Sequence, residues 1–320
     1  MAADARARAG LGVRDGRRVR GGALALALLA LPACSVRRFA ADRVGAVLAE
    51  SGTAWGEDDD PRLVGDAFPF ALKTLESLLA ASPENEGLRL ASCRGFATYA
   101  AGFVAPEAEA LPAVEFERAQ AIRGRALRLH LRALGYCREV LERRLPGAVG
   151  RLTAGTAEAL AGAERTDVEL LYWTAAAWGS AIALGTDRPE LVADLPAVRA
   201  LLARAEALDP AWGGGALDEA GIPLDALPEA LGGSLERARA RLERAVARSR
   251  GRLASPWVTW AASAAVAAQD RAGFRRALEA ALAVDAESPS PDRLANRIAQ
   301  ERARRLLARA DELFYAGEEG

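Results

Sequence analysis

The sequence predicts an all-α fold built from tandem helical hairpins, and three observations carry that expectation. An Ala-rich helix end recurs as Arg204-Ala205-Glu206-Ala207-Leu208-Asp209-Pro210, Arg244-Ala245-Val246-Ala247-Arg248 and Ala280-Ala281-Leu282-Ala283-Val284-Asp285. Its Ala205, Ala245 and Ala281 fall about 40 and about 36 residues apart, near the roughly 34-residue period of tetratricopeptide (TPR) helix pairs. Small residues at that spacing suit close backbone approach between paired helices. Long segments also carry apolar residues three and four apart, and no stretch alternates with period two between hairpin signals. A plain helical bundle shares the helices but not the repeat. Helical repeats usually present surfaces for binding rather than for chemistry.

At the N-terminus, Arg14, Arg17, Arg18 and Arg20 precede an uninterrupted apolar run, Ala23 to Leu31. Basic residues, a short apolar stretch and small residues make the secretory-signal pattern, and the run is too short to span a bilayer lastingly. Leu31-Pro32-Ala33-Cys34 resembles the bacterial lipobox, whose cysteine is acylated and becomes the first residue. The alternative is an ordinary signal peptide with an incidental cysteine. Residues 1–33 are therefore expected to be a signal peptide, residues 34–56 a tether lipidated at Cys34, and residues 57–320 the all-α domain. Several acyl chains on one cysteine anchor stably. Ser35 after it fits an outer-membrane destination facing the periplasm.

Asp60 followed by Pro61 predicts a helix start, since Asp caps and Pro suits the first turn. Pro69 predicts a break, leaving helices Arg62–Ala67 and Pro69–Ala81. Leu88–Val104 reads as a buried helix despite Gly95. Phe116–Leu145 places Ala119, Ile122, Ala126, Leu129, Ala133, Tyr136 and Val140 on one stripe. Thr166 with Glu169 reads as a capping box opening the helix that carries Tyr172, Trp173 and Trp178. Ser255-Pro256 and Ser290-Pro291 each read as a cap plus first residue.

Composition narrows the function. The chain has 320 residues, 51% hydrophobic, with a formal net charge of −1, so it lacks the basic excess that nucleic-acid binding draws on. A single histidine, His130, excludes multi-histidine metal sites; alone on its helix it reads as a surface or hydrogen-bonded side chain. Asp58, Asp59 and Asp60 lack the ligand spacing of a calcium loop, so no metal or cofactor is expected. Gly213-Gly214-Gly215 lacks the Lys-Ser/Thr of a phosphate loop and follows a helix stop, so it reads as a plain loop. Cys93 and Cys137 read as free buried cysteines, because helices rarely bring two Cα atoms within bridging distance; a disulfide is the alternative.

Asp58-Asp59-Asp60-Pro61-Arg62-Leu63-Val64, Asp66-Ala67-Phe68-Pro69-Phe70-Ala71-Leu72-Lys73 and Glu76-Ser77-Leu78-Leu79 resemble the TatT family. These are TPR-containing lipoproteins, the T components of tripartite ATP-independent periplasmic (TRAP) transporters. The likeness continues in Ser82-Pro83-Glu84-Asn85, Phe96-Ala97-Thr98-Tyr99-Ala100, Leu171-Tyr172-Trp173, Asp194-Leu195-Pro196 and Arg293-Leu294-Ala295-Asn296, over nearly the whole mature chain. Gly221 to Gly233 departs, holding two prolines where the family continues a helix.

The resemblance implies a non-catalytic, periplasm-facing lipoprotein that assembles as a homotrimer and docks a solute-binding protein at the openings of an apolar channel. It also implies passage of a hydrophobic or organic-acid ligand. Tyr99, Tyr172 and Trp173 are then the expected channel-wall or wall-supporting residues. The alternative is a general TPR lipoprotein holding peptide segments during envelope assembly. A closed apolar channel favours the first and an open polar groove the second.

Overall fold

The computed structural model describes residues 55–156 and 158–315. Cys34, the signal segment and most of the tether lie outside the described residues. Among the described residues every regular element is helical and no strand occurs, so the fold is all-α.

Helix α1 (Pro61–Ala81) starts where Asp60 and Pro61 place it: the Asp60 carboxylate accepts from the N–H groups of Arg62 and Leu63 at 2.9 and 3.0 Å. The expected break at Pro69 does not occur. Val64, Phe68, Leu72, Leu75 and Leu79 keep one phase through the proline, which lies on the exposed face. Each large buried apolar side chain contributes about 1.5–3 kcal/mol, and several together outweigh the roughly 3 kcal/mol an interior proline costs.

Helix α2 (Glu86–Tyr99), capped by Asn85, runs into a π-helical turn, Ala100–Val104, and then α3 (Ala105–Glu109). The single element expected over Leu88–Val104 thus changes pitch at its end. Helix α4 (Phe116–Arg144) matches its predicted stripe and lies antiparallel to α2. The pairings Arg89 with Glu139, Phe96 with Tyr136 and Arg125 with Tyr99 run in opposite senses along the two helices. Cys93 and Cys137 are bridged across this pair, with Cα atoms 5.5 Å apart. In that register Ala97 lies opposite Ala133, both buried, and such small side chains allow the approach that the sequence reading took to be rare.

Short α5 (Ala148–Thr153) leads to α6 (Val168–Leu184), α7 (Pro189–Val192) and α8 (Leu195–Leu208). The box before α6 is made by Glu164 and Asp167, whose carboxylate accepts from the Glu164 N–H at 2.9 Å, and not by Thr166 and Glu169. Gly213, Gly214 and Gly215 form the turn before α9, with φ of 63, 60 and 110°, a backbone region that favours glycine. Next come α9 (Ala216–Asp225) and α10 (Leu235–Ser249). The departure noted over Gly221–Gly233 is visible here: helix ends at Asp225 and a short 3-10 turn, Glu229–Leu231, fills the gap.

Helix α11 (Ser255–Trp260) passes into a second π-helical turn, Ala261–Ala265, followed by α12 (Arg271–Leu282), α13 (Arg293–Ala308) and α14 (Ala310–Leu313). Ser290 does not cap, for α13 begins only after Asp292. Ala205, Ala245 and Ala281 stand on α8, α10 and α12 with 0% exposure, as their recurrence implied.

Among the described residues there are two large apolar cores and a small third cluster of Leu75, Leu79, Leu88 and Ala91. The larger core runs from Leu72 to Leu217 and the second from Ile222 to Phe314. Helix α9 joins these two, giving Leu217 to one and Ile222 to the other. Its buried Asp218 and Asp225 accept from Arg244 at 2.8 Å and Arg241 at 2.7 Å, tying α9 to α10 despite the internal Pro223.

Candidate functional site

Away from α9, the last long helix returns to the first. The backbones at Gly56 and Pro291 lie so close that a Cβ on Gly56 would run into the Pro291 carbonyl. Arg293 pairs with Asp59 at 2.9 Å. Arg302 grips the Glu109 carboxylate at two points, 2.9 and 2.8 Å, and Arg309 donates to the Glu109 carbonyl. The chain therefore closes on itself along a seam between α1–α3 and α13.

A cavity of about 310 Å³ lies in this seam. Trp55, Phe68, Leu72, Leu75, Phe103 and Ile298 are among the residues that line it. Trp55 meets Phe68 edge-on at 5.0 Å between centroids. Thr98 offers a hydroxyl, and Arg94 is the charged side chain on the wall, 3.3 Å from Glu169, which stands outside it. Gly102, within the first π-helical turn, also lines the space; a Cβ there would meet nothing within 4 Å. Pockets of this kind, apolar with few convergent polar groups and set between packed bodies, are where small ligands usually bind.

Tyr99 is buried behind this wall. Its ring stacks on Phe68 and Phe103 at 5.7 and 6.0 Å, while its hydroxyl accepts from Arg125 at 3.2 Å. It backs the cavity through two wall residues. Tyr172 and Trp173 are elsewhere, half-buried in a second aromatic group with Trp212, which lies 4.8 Å from Tyr172. The three expected residues are thus not brought together. Arg94, Phe68, Phe103 and the α13 contribution were missed. Arg94 had a local signal as a charge amid Ala91, Cys93, Phe96 and Ala97. The α13 contribution had none.

Where the cores join, Glu219 on α9 accepts from Ser255 at 2.9 Å and Thr259 at 3.0 Å. Ser255 thus serves Glu219 and does not cap α11. Burial raises the Glu219 pKa against the lowering effect of those two hydroxyls. Burial, with a smaller contribution from the Glu219 charge, also raises the Tyr172 phenol. His130 corrects another expectation: it is 2% exposed, its Nδ1 has no partner, and burial holds its pKa at about 4. Among the described residues no group of three His, Cys, Asp or Glu is placed to hold a metal, and no helix is long and apolar enough to cross a membrane.

The described helices thus close around an apolar cavity along the seam. The family described as "TRAP transporter T-component" matches residues 57–314, and the chain belongs to that family. It is also 33% identical over 263 residues to a Treponema pallidum (strain Nichols) protein described as "Uncharacterized protein", covering 81% of each chain. Membership makes it a membrane-associated periplasmic component of a TRAP system, in a family of transporter parts and not of enzymes.

Proposed function

We propose that this chain is a lipoprotein, cleaved before Cys34 and acylated there, whose domain from residue 57 docks a periplasmic solute-binding protein. The docked pair passes a hydrophobic or organic-acid ligand, and the chain breaks no bonds. It works as a homotrimer on the outer membrane, facing the periplasm. The observation that carries this reading is the seam: the ends of the helical array meet around an apolar space, whereas a peptide-holding superhelix needs an open, polar groove. The Cys93–Cys137 bridge adds support, because disulfides persist in oxidising compartments such as the periplasm. In this reading Tyr99, Tyr172 and Trp173 serve as channel-wall or wall-supporting residues.

The test is purification of the full chain from membranes without an added bait, with mass spectrometry of protein and lipid fractions. The proposal expects an acylated Cys34 and a co-purifying solute-binding protein. Recovery of the chain with unfolded envelope proteins and no such partner would favour the peptide-holding alternative.

A further inference from the structure

We infer that the exposed face at the start of α1, together with the turn that leads into α4, rests on the bilayer surface, with Leu63, Phe70 and Phe116 entering the interface. The inference rests on the lipoprotein reading above and adds the face of the domain that meets the lipid. Three observations carry it.

First, α1 is apolar on two sides. Val64, Leu72, Leu75 and Leu79 are buried, and Phe68 packs against the core beside them. Leu63, Ala67 and Phe70 fall four and three residues apart on the other side and are exposed, Leu63 at 59% and Phe70 at 79%. A helix that meets only water on its outer side carries polar residues there.

Second, exposed apolar side chains gather at one end of the molecule. A Cβ on Gly65 would meet the Phe103 ring and one on Gly95 the Leu72 side chain, so the first half of α1 lies beside the end of α2 and its π-helical turn. Tyr99, at that end of α2, accepts from Arg125 in the first half of α4. The start of α4 therefore lies at the same end, and there Val114 is 91% and Phe116 55% exposed.

Third, the chain enters the domain at this end. Trp55, the first described residue, meets Phe68 edge-on at 5.0 Å. Cys34 precedes it by about 21 residues, which reach roughly 75 Å at most in any conformation. An acylated Cys34 holds this end near the bilayer and raises the effective concentration of lipid around it, so a small apolar contact suffices. A helix seated in this way sinks only to the headgroup boundary. Charge takes no side: Arg62 and Lys73 border the stripe, but so do Asp60 and Asp66. The seating therefore needs no anionic lipid.

The experiment places a fluorophore on Ala67→Cys in the full chain, purified from membranes and reconstituted into phosphatidylcholine vesicles, with and without a lipid that carries a nitroxide near its headgroup. Acylation blocks Cys34, and the bridge occupies Cys93 and Cys137, so one thiol is free to take the label. The same label on Glu84→Cys, in the turn beyond the far end of α1, is the control. Quenching by the nitroxide lipid is expected to be several-fold greater at Ala67→Cys than at Glu84→Cys, and unchanged by added phosphatidylglycerol or by salt. Adding Leu63→Ser and Phe70→Ser should leave the melting temperature in place, since both side chains are exposed, and bring the quenching down to the level of the control.

Equal quenching at the two positions, or quenching undiminished by the two serines, would overturn the inference. A label at residue 67 that is shielded from water but not reached by the nitroxide would give this face to a second copy of the chain and overturn it as well. Mass spectrometry of the same sample reads acylation of Cys34. An acylated chain without the contact sinks the inference alone, whereas an unacylated chain sinks the lipoprotein reading and the inference with it.

Discussion

Glu109 and Arg302 stand 193 residues apart and meet in a two-point ion pair. With Asp59 and Arg293 they lie along the seam where α13 meets α1–α3, and the cavity lies in that seam. Local helix chemistry supplies the walls; the long-range return of α13 supplies the enclosure.

Replacing Arg302 by Met should show how the seam is held. Both partners of the pair are about a third exposed, at 34% and 36%, so solvent screens them and the loss of global stability should stay within about 1 kcal/mol. The local effect should be larger. Amide exchange by mass spectrometry is expected to quicken in α13 and in the first turns of α1, while α4 and α6 stay protected. Uniform quickening across the chain would mean that the pair supports the whole fold and not the seam.

The Cys93–Cys137 bridge spans 44 residues. On the chain-entropy account, closing a loop of that length stabilises by about 4 kcal/mol. Urea unfolding with and without reductant should show a clear fall in midpoint, matched by Cys93→Ala/Cys137→Ala. An unchanged midpoint would place the stability of the α2–α4 pair in packing alone.

His130 should make the chain sensitive to acid. Its folded pKa, about 4, lies below the ordinary 6.5, so the unfolded chain takes up the proton first as pH falls. The stability tied to neutral His130 is fully present above about pH 6.5 and is lost down to about pH 4. The whole step is about 3 kcal/mol. In His130→Leu the difference in unfolding free energy between pH 7 and pH 4.5 should shrink by most of that amount. A variant as acid-sensitive as the parent would assign the effect to other groups.

Glu219 has the opposite sign. Its folded pKa is raised, so the folded state keeps its proton longer, and stability falls as pH rises through that raised value. Glu219→Gln removes the buried charge, while its amide accepts from one of the Ser255 and Thr259 hydroxyls and donates to the other. A melting temperature above the parent's at pH 8 and equal to it at pH 4 is expected. A loss at both values would show that the ionised carboxylate is needed where the cores join.

The stripe of α4 was legible because Ala126, Ala133 and Val140 recur at helical spacing, and the Asp60 cap because its chemistry is local. Pro69 is a local break signal, but the buried stripe from Val64 to Leu79 carries the helix through it. Thr166 misled because the helical turn starts two residues earlier, where Glu164 and Asp167 form the box. The disulfide depended on the closeness of α2 and α4, which small residues such as Ala97 and Ala133 permit but do not announce. Of the cavity, Tyr99 lies behind the wall, its ring stacked on Phe68 and Phe103. The seam left no trace, since Asp59 and Arg293 are 234 residues apart and each reads alone as an ordinary surface charge.

Closure of the chain is tested most directly by cross-linking Asp59→Cys to Arg293→Cys with a short bismaleimide, in a chain with Cys34→Ser and the Cys93–Cys137 bridge intact. The closed seam predicts a fast cross-link within one chain, at a rate independent of protein concentration. Its absence under native conditions, or cross-links only between chains, would mean an open helical array and would contradict the closed seam.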